Sequence, residues 1–350
     1  MDGQVHSNPQ QQQPSSIIGS NEELLGIVLS GLCRQPKSLP SKLLYDQQGS
    51  MLFEQICATP EYYLTRAELA LMEAHSAEIA EVLGTDVMLV EYGSGSGLKT
   101  RLLLSQMRDV AAYMPVDISS HALLESVEQL RRIMPQLTIL PQCADFTQSF
   151  GALPPFTHAQ RTIIYFPGST IGNLDDSEVV GLLRRMRTQM GAAGGALIGF
   201  DLRKDPAVIE AAYNDAAGLT AQFTLNLLQR INRELYADID PTFFAHRAVY
   251  HHLRGRIETL LISLREQTIQ VAGEIIHFAQ DESMLVEISC KYTPEEFTAL
   301  AARAGLRAEC NWFDADRHFC LQYLTPEAGV RPKTLDHRLK TYGLGLRGKI

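Results

Sequence analysis

An apolar run at residues 87–90 leads through Glu91-Tyr92-Gly93-Ser94-Gly95-Ser96-Gly97 into an apolar-periodic segment at 102–107. A second apolar run at 113–116 then ends on Asp117. Strand, glycine-rich turn, helix and strand in that order predict a right-handed parallel βαβ unit. The glycines matter because they let backbone approach a ligand and leave helix N-terminal amides facing it. Further strands are expected at 137–140, 162–166 and 196–200, with helices at 123–133 and 178–190, which makes a doubly wound sheet. Upstream, Thr65-Arg66-Ala67-Glu68 matches a capping box, with Thr65 as N-cap, ahead of a long helix through 69–83.

Beyond residue 202 the pattern changes. A long helical stretch at 206–232 precedes strand-like runs at 256–264, 274–278 and 284–289, which reads as a second, mixed unit. A helix at 295–304 and strands at 307–313 and 318–324 then suit an antiparallel end to the main sheet. The expected division is a sheet domain of residues 65–202 and 290–325 and a smaller α+β substrate-binding domain of 21–64 and 203–289. Residues 1–20, with four consecutive glutamines at 10–13, are expected to form a disordered arm, and 326–350 a solvated basic tail.

Composition narrows the partners. The net charge of -9 argues against nucleic acid, whose binding needs clustered Lys and Arg, and favours a small-molecule substrate. The six cysteines form no C-x-x-C pair, so neither a metal site nor a disulfide framework is expected. The N-terminus lacks the basic start and apolar core of a signal peptide, and no apolar run approaches a membrane span. A cytoplasmic protein without membrane attachment, and a monomer, is expected.

The loop itself has competing readings. Dinucleotide enzymes prefer G-x-G-x-x-G, where pyrophosphate sits on the helix N-terminus; here the spacing is G-x-G-x-G, two residues after Glu91. S-adenosylmethionine carries an ammonium, a carboxylate and a ribose diol instead. Glu91 or loop carbonyls can take the ammonium, Lys99 can pair with the carboxylate, and Asp117 can accept both ribose hydroxyls. An acid at 117 also serves NAD enzymes, so it does not discriminate alone. Asp145-Phe146 adds an acceptor for the adenine amino group and a ring to stack on it. With Gly93, Gly95 and Gly97, these residues predict a Rossmann-like class I methyltransferase sheet using S-adenosyl-L-methionine.

Longer segments carry a resemblance. Tyr45-Asp46-Gln47-Gln48-Gly49-Ser50, Pro60-Glu61-Tyr62-Tyr63-Leu64-Thr65-Arg66, Phe166-Pro167-Gly168-Ser169-Thr170-Ile171-Gly172-Asn173, Ala212-Tyr213-Asn214-Asp215 and Glu287-Ile288-Ser289-Cys290-Lys291-Tyr292 resemble the histidine-specific Nα-methyltransferases of ergothioneine biosynthesis. The resemblance spans about 44–324. It implies methylation of the α-amino group of L-histidine, up to the trimethylated betaine hercynine.

The resemblance also implies roles. Asn173 and Tyr213 would hold the substrate carboxylate. Tyr45 and the backbone at Gly168 would approach the α-amino group, with Tyr45 as the candidate catalytic residue that orients it. Glu287 and Ser289 would hydrogen-bond the imidazole, and Tyr62 would reach it through water. An acid beside a hydroxyl suits a ring offering one donor and one acceptor. One departure stands out: Thr259 occupies a strand position near the expected ring site where bacterial enzymes of this type tend to carry Met. Another amino acid or biogenic amine of tryptophan type is the alternative substrate, though Glu287 favours imidazole over indole. A dinucleotide oxidoreductase is the more distant alternative.

Overall fold

The structure is a computed structural model that describes residues 21–95, 97–148 and 159–327. Ser96, the expected arm at 1–20 and all but the first residues of the expected tail lie outside the described residues.

The chain opens with helices α1 (Asn21–Cys33), α2 (Gln47–Cys57) and α3 (Tyr63–Leu83). The alternating section follows: β1 (Val87–Tyr92), α4 (Leu98–Gln106), β2 (Val110–Asp117), α5 (Ser120–Ile133), β3 (Gln142–Cys143), β4 (Arg161–Phe166), α6 (Asp176–Met190) and β5 (Gly195–Asp201). Next come α7 (Pro206–Tyr213), α8 (Leu219–Leu235), β6 (Phe244–His251), β7 (Arg256–Ser263), β8 (Gln267–Val271), β9 (Glu274–Phe278) and β10 (Ser283–Cys290). The chain closes with α9 (Pro294–Arg303), β11 (Leu306–Phe313) and β12 (Phe319–Pro326).

Among the described residues the main sheet has seven strands in the order β11-β12-β5-β4-β1-β2-β3. Strands β1 to β5 pair in parallel, and β12 joins β5 antiparallel, as does β11 to β12. Every residue of β1 and of β5 is buried, as expected of strands covered on both faces. The strand order reverses beside β1, and at such a switch point the loops beyond the strand ends part to leave a crevice. The glycine loop emerges there. A separate three-stranded antiparallel sheet, β10-β7-β6, and the β8-β9 hairpin form the mixed section.

Three local expectations need correction. Helix α3 starts at Tyr63, so Thr65 lies inside it and makes no cap; Glu68, expected to close a capping box, is instead fully buried and points to the sheet ends. The stretch 206–232 is two helices. Asp215 breaks it by accepting from the backbone N–H of Leu219 and Thr220, both at 2.8 Å, while Gly218 takes a left-handed φ of +71°. The strand expected at 137–140 makes only a bridge from Ile139 to Tyr113, and the third strand is the short β3. Strands β6 and β8 were not foreseen. Hairpin β8-β9 turns on Ala272 and Gly273, both at positive φ, as a two-residue turn of the twist that suits flanking strands requires.

Candidate active site

A cavity of about 700 Å³ opens at the C-terminal ends of β1, β2 and β4 and runs towards α2, α7, α8 and β10. Its volume suits small-molecule ligands. Every candidate cofactor and substrate residue named from the sequence, from Tyr45 to Ser289, lines it, with Thr259 the exception.

At the sheet end, Gly93, Gly95 and Gly97 have φ of +73°, +45° and +66°, a conformation that side chains strain to adopt. Ser94 buries a hydroxyl oxygen that has no hydrogen-bond partner among the described residues. Asp117, at the tip of β2, accepts from the Ser119 N–H at 2.8 Å. Burial pushes its carboxyl up, against the pull of the Ser119, Gly95 and Ser94 amides. Phe146 stacks on Tyr92 with centroids 5.5 Å apart and meets the edge of Phe166. Asp145 accepts from Lys42 at 3.0 Å and from the Thr147 N–H at 2.8 Å. These groups fit a nucleoside with a zwitterionic arm: an acid for a diol, a ring beside an acceptor, and a loop open at its backbone.

Glu91 sits differently from the expectation of a free acid. Its carboxylate accepts from Thr100 at 2.6 Å and from the Tyr113 hydroxyl, so it ties α4 to β1 and β2. Burial pushes its pKa to about 7. Lys99, in the first turn of α4, pairs with Glu68 at 2.5 Å. Both oxygens of Glu68 also lie 3.0 Å from the Gly168 N–H. One buried carboxylate therefore holds the expected cofactor lysine and the loop after β4 together. Gly199 makes room for it, because a Cβ there would meet Glu68 Oε1 at 2.8 Å.

At the far end, Tyr45 packs edge-on against Phe53 and Phe223, with centroids 5.5 and 5.3 Å away, and Tyr62 packs similarly against Phe53 and Tyr213. Burial, then the charge of Glu287, drives the Tyr45 hydroxyl well above its ordinary pKa, although Asn173 hydrogen-bonds it. Tyr45 is thus a neutral phenol at physiological pH, able to orient an amine but not to act as a phenolate base. Asn173 closes a short 3-10 helix, Thr170–Asn173, after β4.

Glu287 and Ser289 share one face of β10. Burial lifts the Glu287 carboxyl to about 7, opposed by Lys291 and by a contact with Thr259. Thr259 is directly opposite Glu287 on β7, and its hydroxyl lies 3.4 Å from Oε2. It stands behind the acid and outside the residues lining the cavity. Tyr213 donates to Ser289 at 2.8 Å, and Lys291 donates to both hydroxyls at 2.9 Å.

Sequence reasoning missed Glu68, Lys42, Phe53, Phe223 and Lys291. Only Lys291 left a usable signal, because residues 287, 289 and 291 fall on one side of a strand with a period of two.

A family model described as histidine-specific methyltransferase, SAM-dependent, matches residues 22–326. A histidine N-alpha-methyltransferase of Mycolicibacterium smegmatis is 40% identical over 305 residues, covering 86% of this chain and 94% of that protein. One from Mycobacterium tuberculosis is 39% identical, covering 84% and 92%. Ergothioneine biosynthesis protein 1 of Neurospora crassa is 31% identical over 79% of this chain and 32% of its own length.

Proposed function

The chain belongs to the histidine-specific, SAM-dependent methyltransferase family, and from that premise we propose that it methylates the α-amino group of L-histidine, three times, to hercynine for ergothioneine biosynthesis. The observation that carries this reading is one continuous cavity. It has a nucleoside-shaped end at Gly93, Asp117 and Phe146 and, at the other end, an acid and a hydroxyl, Glu287 and Ser289, matched to an imidazole.

Bound S-adenosylmethionine supplies a methyl group already activated as a sulfonium, so the protein's task is alignment. Lys99 would hold the cofactor carboxylate, Asp117 the ribose hydroxyls, and Asp145 with Phe146 the adenine. The loop glycines admit the ligand to the backbone, and Glu91 keeps α4 in place behind them. Asn173 and Tyr213 would donate to the substrate carboxylate, while Glu287 would accept the ring N–H, Ser289 would meet the other ring nitrogen and Tyr62 would act through water. Tyr45 and the backbone at Gly168 would orient the amine. Burial beside a cation lowers an amine's pKa, so the α-ammonium would give up its proton to water more readily in the cavity than in bulk solvent.

The reading extends to a sheet domain of 65–202 and 290–325 with a substrate-binding domain of 21–64 and 203–289, and to a cytoplasmic monomer. The free state of all six cysteines supports a reducing compartment. Calorimetric titration in the presence of adenosylhomocysteine tests the substrate: histidine should bind and tryptophan should not. Tighter binding of tryptophan would move the enzyme to an indole substrate.

A further inference from the structure

Lys291 lies just past β10, is 1% exposed and lies outside the lining of the cavity. Its ammonium is within 2.9 Å of three oxygens: Tyr213 Oη, Ser289 Oγ and Asp201 Oδ2. An ammonium has three N–H donors and no lone pair, so all three are spent. Each hydroxyl must therefore turn a lone pair towards Lys291 and its own proton away. In the structure the Tyr213 proton rests on Ser289. Neither hydroxyl can point its proton at Lys291, and the Tyr213 proton is the one that a carboxylate in the cavity can draw off Ser289.

We propose that Lys291 is a positioning residue that fixes Tyr213 as a hydrogen-bond donor to the carboxylate of the bound amino acid. The Tyr213 proton turns from Ser289 to the substrate carboxylate, while Lys291 holds the phenol oxygen's lone pair behind it. This rests on the histidine reading above and adds what the Tyr213 hydroxyl alone does not provide, a defined polarity. A hydroxyl free to rotate would accept as readily as it donates. The fixed charge behind the pair works in the same sense, favouring an anionic carboxylate and opposing an imidazolium.

The ammonium is held charged although it is buried. Desolvation disfavours its charge, but Asp201 and Tyr213 together outweigh this and carry Lys291 above its ordinary pKa. Asp201, at the end of β5, also pairs with Lys204 at 2.6 Å and accepts from Tyr63 at 2.7 Å. Removal of Lys291 therefore leaves Asp201 with two partners, so a variant at 291 strands no buried carboxylate.

The test uses the full chain carrying Lys291→Met and, separately, Lys291→Gln, whose amide keeps a donor without the charge. Turnover of histidine is measured with saturating cofactor, and histidinamide, whose carboxyl group is uncharged, is titrated as an inhibitor of that turnover. Lys291→Met should raise the KM for histidine about tenfold or more while kcat changes less than threefold, with Lys291→Gln in between. The inhibition constant of histidinamide should move by less than threefold in either variant. Equal losses for both ligands, a fall in kcat with KM unchanged, or wild-type kinetics would overturn the proposal. If wild-type enzyme neither binds nor methylates histidine, the histidine reading fails, and the proposal with it; wild-type histidine turnover with no KM effect in the variants sinks the proposal alone.

Discussion

Glu287 carries a titration that substrate kinetics can read. On the proposed reading it must be a carboxylate to accept the imidazole N–H, and burial raises its pKa to about 7 in the free enzyme. The active form therefore dominates above that pH and is lost as pH falls through it. Since kcat/KM reports free-enzyme ionisations, kcat/KM for histidine should fall on the acid side with an apparent pKa near 7. Glu287→Gln should remove that limb, leaving the imidazole's own titration at roughly 6.5. An unchanged acid limb would mean that the carboxylate does not face the ring. At this scale the sequence supplied residue types and the resemblance supplied roles, but neither supplied pairing. Glu91 reads as a ligand-facing acid because it adjoins the glycine loop, yet its carboxylate is taken up by Thr100 and Tyr113. Glu68 reads as a capping residue, yet it joins Lys99 to the Gly168 amide across 100 residues of chain. Such partners meet only in the folded chain, and no local pattern announces them.

At the scale of elements, the turn between α7 and α8 does for the substrate end what the glycine loop does for the cofactor end. Asp215 caps α8, and the Asn214 side chain bonds the carbonyls of Glu210 and Ala248 at 2.8 and 3.1 Å, locking α7 to β6. Tyr213 is the last residue of α7, so its hydroxyl is aimed by this turn. Asp215→Ala should cost about 1 kcal/mol of stability, the usual loss for a missing cap. It should also raise the KM for histidine more than the KM for the cofactor, because Tyr213 moves and the glycine loop does not. Equal effects on the two KM values would show that the turn aims nothing. The alternating half was legible because a buried strand beside a glycine turn has few other readings. The helix break at Asp215 was not, since both helices share one apolar periodicity and an acid within it looks like a solvated face. Strand β6, Phe-Ala-His-Arg-Ala-Val-Tyr-His, mixes charge into its pattern and was passed over, although it flanks β7 along its whole length.

For the molecule as a whole, the parallel sheet holds the donor end of the cavity, and the helices and the small antiparallel sheet supply its acceptor end. Catalysis by alignment requires the two ends to share a fixed geometry, and contacts that cross between them include Lys42 with Asp145 at 3.0 Å and Lys291 with Tyr213 at 2.9 Å. The class of chemistry was therefore readable from the loop, Asp117 and Asp145-Phe146, while the substrate was named only through the resemblance at Asn173, Tyr213, Glu287 and Ser289. Mass spectrometry of the product formed from L-histidine and S-adenosylmethionine tests the central claim most directly. The expected result is histidine carrying three methyl groups, all on the α-nitrogen by fragmentation. Unmodified histidine, or methyl groups on the imidazole ring, would contradict it.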